Sequence, residues 1–266
     1  MTYKFGFIGA GNMGGALLVA AANGNPSEKF AVYDVFGEKA NAFAEKYENV
    51  SVTALDTLVK ESEYIFIGVK PQMLGDLFSD IAPLFEDCDP VMVSMAAGTS
   101  IEKLCSLSGK EMPVIRIMPN TPALIGEGVI LYCNNDAVSE AQIDYFVKAM
   151  SGAGLLDRID ENKIDAASAV SGCGPAFAYM FIEALADGAV ECGVPRDKAM
   201  MYAAKMLSGS ADMVLKTGNH PGALKDAVCS PGGTTIAGVH ALEDGGFRSA
   251  AMNAVTSAYK RTLELK

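Results

Sequence analysis

The stretch FGFIGAGNMG, residues 5–14, decides the fold, because a glycine-rich turn lies there between an apolar run and a helical one. In its G-x-G-x-x-G spacing, Gly9 permits a tight turn, Gly11 permits close approach of a pyrophosphate, and Gly14 permits close packing of helix on strand. The pyrophosphate would lie on the free N–H groups at the start of the following helix. The motif alone is weak evidence, since a glycine-rich turn without a ligand can have the same letters.

The second predicted strand strengthens this interpretation. It runs over Phe30–Tyr33 and ends beside Asp34, 20 residues after Gly14. An acidic residue at this distance typically accepts the two hydroxyls of a ribose. The pattern therefore predicts a nicotinamide or flavin dinucleotide. Because a carboxylate repels a 2′-phosphate, we expect NADH to be favoured over NADPH.

Apolar runs and amphipathic runs alternate through the first 160 residues, which predicts a mostly parallel, doubly wound α/β sheet of the Rossmann type. The predicted strands are Tyr3–Ile8, Phe30–Tyr33, Val50–Thr53, Tyr64–Val69, Val91–Met95, Val114–Met118, Val129–Cys133 and, more weakly, Leu155–Ile159. The predicted helices between them are Asn12–Ala22, Glu38–Lys46, Gln72–Phe85 and Ser139–Met150.

The character of the chain changes after Asp160, where strand-like runs stop and helical patterns follow one another. The predicted helices are Asp165–Val170, Ala176–Cys192, Arg196–Lys216, Thr234–Leu242 and Phe247–Glu264. We therefore predict a dinucleotide-binding domain over 1–160 and an all-α domain over 161–266. Because Ala176–Cys192 is apolar on nearly all faces, we expect it to pack against its counterpart in a homodimer.

Composition excludes several classes of function. The 266 residues carry 21 basic and 32 acidic side chains and no long basic run, so we expect no nucleic-acid or anionic-membrane partner. Six scattered cysteines without a C-x-x-C pair indicate reduced thiols and predict no metal site. No signal peptide is evident, and no uncharged apolar run reaches the roughly 18 residues of a membrane span. We expect a cytoplasmic protein.

Three loops follow predicted strands at the carboxyl edge of the sheet, where such folds bind ligands. They are the residues after strand four (Gly68, Val69, Lys70 and Pro71), those after strand five (Ala96, Ala97 and Gly98), and Asn120 after strand six. Lys70 could face anionic groups of a cofactor, and Asn120 could hydrogen-bond a nicotinamide. A solvated lysine and ordinary loops would look the same.

The stretch SPGGTT, residues 230–235, precedes a helical run and offers backbone N–H groups and two hydroxyls at its start. Such a terminus suits a small anion, and a carboxylate in particular. An N-cap on a tight turn would explain one threonine, but it does not require two glycines.

Taken in order, the segments IGAGNMG, VKPQ, RIMPNTPALIGEG, AVSGCGPAFAYMFIEALADGAV, HPGALKDAVCSPGGTTIAGVHALE and GGFR resemble the pyrroline-5-carboxylate reductase family. The resemblance covers nearly the whole chain. It implies reduction of 1-pyrroline-5-carboxylate to L-proline with NADH or NADPH, the last step of proline biosynthesis. It also implies a Rossmann domain, a helical dimerisation domain and often a decamer of five dimers.

The resemblance also implies roles for individual residues. Thr235 matches a catalytic threonine whose hydroxyl bonds the ring nitrogen, and Asp34 departs from the Ser or Thr of many relatives. The implied substrate-binding residues are Glu161, Ser230, Gly232, Gly233, Thr234 and Thr235. The implied or predicted cofactor-binding residues are Ile8, Gly9, Ala10, Gly11, Asn12, Met13, Asp34, Gly68, Val69, Lys70, Pro71, Ala96, Ala97, Gly98 and Asn120.

Two other functions remain open at this point. A β-hydroxyacid dehydrogenase has a similar plan, but it needs an acid–base group, commonly a lysine on the first long helix of its second domain. No Lys or Arg occurs from Ile164 to Pro195. A non-catalytic protein that senses dinucleotides or proline is the second alternative, which an intact SPGGTT turn disfavours.

Overall fold

A computed structural model describes residues 1–264 of the chain. The chain divides into two compact units. Of the described residues, unit 1 contains 1–173 and 258–264, and unit 2 contains Gly174–Ser257.

Unit 1 is built on one eight-stranded sheet with the order β3-β2-β1-β4-β5-β6-β7-β8. All neighbouring strands are parallel except β6 and β7, which confirms the predicted mostly parallel sheet. The strands are β1 (Tyr3–Ile8), β2 (Phe30–Tyr33), β3 (Val50–Val52), β4 (Ser62–Ile67), β5 (Val91–Ser94), β6 (Val114–Met118), β7 (Gly128–Asn134) and β8 (Gly154–Arg158).

Helices cover both faces of this sheet because its central strands are apolar on both sides. The helices of unit 1 are α1 (Asn12–Gly24), α2 (Gly37–Lys46), α3 (Leu55–Glu61), α4 (Leu74–Ile81), α5 (Ile101–Ser108), α6 (Glu140–Met150) and α7 (Glu161–Ser171). Phe5 and Phe7 of β1 belong to the core that includes residues of α1 and α6, whereas Ile8 belongs to the opposite core, with residues of α3, α4 and α5.

Unit 2 is helical and has a very small interior. Its buried core residues are Ala186, Ala199 and Ala203, whereas Met180 and Leu215 are 70% and 78% exposed. The helices are α8 (Gly174–Glu191), α9 (Arg196–Thr217), α10 (Pro221–Ala227), α11 (Thr234–Asp244) and the part of α12 (Phe247–Glu264) that precedes Ala258. A single copy of unit 2 therefore leaves much apolar surface in water.

The secondary structure differs from the sequence prediction in a few places. Helices α3, α5 and α10 were not predicted, and the predicted helix Gln72–Phe85 is α4 flanked by two 3-10 turns. All three missed helices have seven or eight residues, which is too short for a clear period of 3.6.

One stretch of the described residues, Glu161–Glu191, is long and apolar enough to cross a membrane by length and composition. This stretch contains both α7 and α8. It also contains charged residues, so it was not one of the uncharged runs considered in the sequence analysis. Ile164 and Asp165 of its first half are buried in unit 1, and Asp165 forms an ion pair with the buried Arg116. This half is part of a folded domain.

Candidate functional site

The glycine-rich turn after β1 has the geometry that its spacing predicts. Gly9 adopts φ +97°, and a Cβ there would lie 2.9 Å from the carbonyl oxygen of Gly68. A Cβ on Gly14 would lie 2.2 Å from the carbonyl oxygen of Gly9. These two glycines therefore allow the turn to pack against α1 and against the loop that follows β4.

Gly11 differs from its two neighbours in the motif because the space in front of it is open. Apart from the adjoining backbone, no atom of residues 1–264 lies within 4 Å of a Cβ built at this position. Gly11 is also the N-cap of α1, and no side chain caps that terminus in the part of the chain that the structure describes. An uncapped helix N-terminus beside open space fits a phosphate group.

Asp34 follows β2 directly and joins the two loops at this edge. Its Oδ2 accepts a hydrogen bond from the backbone N–H of Ala10 at 2.7 Å, and its Oδ1 accepts one from Phe36 at 2.9 Å. Each carboxylate oxygen keeps a further lone pair for a ligand hydroxyl. The carboxylate is thus fixed beside the glycine-rich turn.

These loops enclose a cavity of about 480 Å³ at the point where strand order reverses between β1 and β4. Its volume falls in the range of about 300–1,000 Å³ that is typical of small-molecule sites. The lining residues are Ile8, Gly9, Gly11, Tyr33, Asp34, Val35, Phe36, Lys39, Leu55, Gly68, Val69, Lys70, Met73, Asp76, Leu77 and Asp80. The cavity therefore brings together seven of the predicted cofactor residues: Ile8, Gly9, Gly11, Asp34, Gly68, Val69 and Lys70.

The other predicted cofactor residues lie outside this lining. Ala10 is buried and donates to Asp34, Asn12 and Met13 begin α1, and Pro71 begins a 3-10 turn. Sequence reasoning missed Tyr33, Val35, Phe36, Met73 and the α4 carboxylates. The end of β2 and the loop after it were a signal for the first three.

The loop Ala96–Gly98 follows β5 at the same edge of the sheet. The N–H of Ala96 donates to the Ser94 hydroxyl at 3.3 Å, and the N–H of Thr99 donates to the Ala96 carbonyl at 3.3 Å. Gly98 adopts φ +70°, which favours glycine in this turn. The loop is a tight turn that leads directly into α5.

Asn120 is buried, and both ends of its amide have partners within unit 1. Its Nδ2 donates to the Ser171 carbonyl at 2.9 Å, and its Oδ1 accepts from the N–H of Val129 at 2.8 Å. This arrangement fixes the segment after β6 against α7 and β7. The nicotinamide contact predicted for Asn120 would have to share or replace these bonds.

Glu161 is the first residue of α7, and its carboxylate has two partners. Oε1 accepts from the backbone N–H of Ile101 at 2.7 Å and lies 3.5 Å from Nη1 of Arg116. Nη2 of Arg116 donates to Oδ1 of Asp165. Burial, followed by the charge of Glu161, raises the pKa of the nearby Cys133 thiol to about 12, so this thiol is not a nucleophile.

The SPGGTT turn lies in unit 2 and leads into α11. The N–H of Gly233 donates to the Ser230 carbonyl at 3.0 Å, and Gly232 adopts φ +68°. Gly233 is the N-cap of α11, and the described residues place no capping side chain there. Thr234 and Thr235 are exposed. The turn therefore offers uncapped N–H groups and free hydroxyls, which is the chemistry of a carboxylate site.

Residues 1–264 contain no group of three or more His, Cys, Asp or Glu side chains that could hold a metal ion.

Two family models match the chain. One is described as pyrroline-5-carboxylate reductase dimerisation and matches residues 161–265. The other is described as NADP oxidoreductase coenzyme F420-dependent and matches residues 4–98. The second range contains the glycine-rich turn, Asp34 and the loops after β4 and β5.

The chain is also similar to known proteins over its full length. Pyrroline-5-carboxylate reductase of Glycine max is 40% identical over 271 residues, which cover 99% of this chain and 96% of the relative. The enzyme of Escherichia coli (strain K12) is 38% identical, with coverage of 100% and 99%. The crystal structure of Plasmodium falciparum pyrroline carboxylate reductase with NADP bound has a TM-score of 0.88 and 33% identity, with coverage of 98% and 97%.

Proposed function

Because the chain belongs to the pyrroline-5-carboxylate reductase family, we propose that it reduces 1-pyrroline-5-carboxylate to L-proline with NADH or NADPH. This reaction is the last step of proline biosynthesis. One observation carries the proposal. A chain that aligns with these reductases over its full length contains both an open glycine-rich turn at Gly11 and an uncapped SPGGTT turn.

On the cofactor side, the uncapped start of α1 binds the pyrophosphate and Asp34 accepts hydrogen bonds from a ribose. The loops Gly68–Pro71 and Ala96–Gly98 line the nicotinamide side. When bound, the nicotinamide cofactor supplies the hydride. The fit of the cavity to an anionic, ribose-bearing ligand supports these roles.

On the substrate side, the N–H groups of Gly232 and Thr234 hold the carboxylate, while Ser230 accepts from the N–H of Gly233 and so shapes their turn. The hydroxyl of Thr235 bonds the ring nitrogen. The protonated imine is already electrophilic at carbon, so hydride addition there leaves the amine of proline, and no strong general base is needed. Orientation of this kind can supply roughly 7–11 kcal/mol of a barrier.

We further propose that NADH is the preferred cofactor, because Asp34 would repel a 2′-phosphate. The Plasmodium falciparum relative has NADP bound, so kcat/KM is to be measured with both cofactors. We also propose that residues 1–160 bind the dinucleotide and that 161–266 bind substrate and dimerise, in the cytoplasm. The family model that begins at residue 161 supports this division, although α7 packs within unit 1.

For assembly, we propose a homodimer formed through unit 2 and, at a further level, a pentamer of dimers. The exposed apolar side chains of α8 and α9 support self-association. Light scattering should give at least twice the mass of one chain at every concentration that retains activity. A folded, active monomer at nanomolar concentration would contradict this.

Activity is tested by absorbance at the nicotinamide wavelength, with each cofactor in turn. Purified protein should oxidise the cofactor when it is given pyrroline-5-carboxylate, and L-proline should accumulate in equal amount. Oxidation of 3-hydroxy acids with NAD⁺ or NADP⁺, without any turnover of the imine, would instead support a β-hydroxyacid dehydrogenase.

A further inference from the structure

The loop Ala96–Gly98 is held at its two ends by groups from outside its own turn. At the start, the Ser94 hydroxyl accepts from Ala96. Three residues after Gly98, Ile101 donates its N–H to Glu161, which lies 60 residues further along the chain. Ile101 is the first residue of α5, and Ser100 caps that helix through Lys103. The carboxylate of Glu161 thus fixes the point where the loop becomes a helix.

A buried guanidinium keeps Glu161 in this position. Arg116 lies in the middle of β6 and is only 2% exposed, and its two terminal nitrogens face two carboxylates one turn apart on α7. One of them, Asp165, is 5% exposed, whereas Glu161 is 36% exposed. One positive charge thus faces two negative ones, and the positive end of α5 stabilises the second carboxylate.

We propose that Glu161 is a positioning residue, which sets the start of α5 and thereby the loop Ala96–Gly98 beside the nicotinamide. This inference rests on the proposed function, in which that loop lines the nicotinamide side. It assigns Glu161 a role through the loop instead of the direct substrate contact implied by the resemblance.

The pairing of Arg116 with Asp165 makes the proposal testable. It remains when Glu161 is replaced, so the buried guanidinium keeps a counter-charge and the sheet keeps its core. Loss of Glu161 instead frees the backbone N–H of Ile101, whose hydrogen bond to this carboxylate is part-buried. A hydrogen bond of this kind is worth about 0.5–1.5 kcal/mol net, which corresponds to roughly 2- to 13-fold in an equilibrium constant.

Three variants separate the accepted hydrogen bond from the charge. Glu161→Ala removes both, Glu161→Asp keeps the charge but shortens the reach to Ile101, and Glu161→Gln keeps the acceptor but not the charge. Glu140→Ala is the matched control, because Glu140 also begins a helix and pairs with an arginine, Arg158, at the surface. Folding of each is checked by circular dichroism.

The readouts are kcat, the KM for pyrroline-5-carboxylate, and the Kd for NADH and for ADP-ribose, which lacks the nicotinamide. We expect Glu161→Ala and Glu161→Asp to lower kcat and weaken NADH binding by about 3- to 10-fold. ADP-ribose affinity and the KM for the imine should stay within about twofold, which is near the lower end of a single hydrogen bond. Glu161→Gln and Glu140→Ala should stay close to the unchanged protein.

Other outcomes would overturn the proposal. A raised KM for the imine with unchanged NADH affinity would make Glu161 a substrate ligand. Equal losses for NADH and ADP-ribose would indicate general damage, and no change in any variant would remove Glu161 from this role. If the unchanged protein fails to turn over the imine, the proposed function fails, while the comparison of NADH with ADP-ribose still tests the inference.

Discussion

Replacement of Asp34 by serine should move the cofactor preference from NADH toward NADPH. Two backbone donors, Ala10 and Phe36, hold the Asp34 carboxylate at 2.7 and 2.9 Å, so it cannot easily swing away from a ligand. Serine is smaller and uncharged. It leaves room for a 2′-phosphate and removes the like charge.

The size of the effect follows from the charges. Two unit charges about 4 Å apart repel by about 4 kcal/mol at an effective dielectric constant of about 20. Water and salt lower this value, and so does Lys39, whose ammonium lies 5.0 Å from the centroid of the Phe36 ring at the same cavity. A net penalty of about 1–3 kcal/mol remains, which corresponds to roughly 5- to 150-fold in kcat/KM.

The assay compares kcat/KM for NADH and NADPH in the unchanged protein, in Asp34→Ser and in Asp80→Ser. Asp80 lines the same cavity from α4, so it controls for the loss of any carboxylate there. Higher ionic strength should shrink the preference of the unchanged protein, because screening weakens the repulsion. An unchanged protein that favours NADPH tenfold would refute the reasoning. In that case Asp34 only holds the loops together, and Lys39 or the backbone governs the pocket.

Three further predictions concern other parts of the molecule. Thr235→Ala should lower kcat/KM about 10²-fold through loss of one charge-assisted hydrogen bond, while fluorescence titration finds NADH affinity unchanged. Gly14→Ala should lower the melting temperature, because the added methyl group would clash with the backbone of Gly9. Gly11→Ala should leave the melting temperature unchanged and weaken NADH binding about 10-fold. Asp165→Ala should cost about 3–5 kcal/mol in urea unfolding, because among the described residues the buried guanidinium then keeps only its 3.5 Å contact with Glu161, which is 36% exposed. Asp160→Ala at an exposed ion pair should cost under about 1 kcal/mol.

Most of the fold could be predicted from the sequence because the signals were local. Each central strand is a short apolar run, and the eight predicted strands all occur, with shifts of one or two residues at several ends. Helix α5 was missed although Ser100 and Gly109 are good caps for it. Its eight residues hold too few turns for a hydrophobic period to stand out from the neighbouring strands.

The parts of the site that are contiguous in sequence were predictable. The parts that depend on strand pairing or on helix packing were less so. The turn at Gly9 and the acidic residue after β2 follow from spacing alone. The bond from Ala10 to Asp34 arises because Ile8 and Tyr33 are paired in register at the strand ends. The bond from Ile101 to Glu161 spans 60 residues and depends on where α7 packs, which no short pattern encodes.

The alanine core of unit 2 has a consequence for the stability of the whole protein. Among the described residues, the fully buried core of this unit is Ala186, Ala199 and Ala203, so the unit gains little hydrophobic free energy within one chain. If a second copy covers its exposed methionines, folding and association become one equilibrium. The melting temperature should then rise with protein concentration, and dilution alone should unfold these helices.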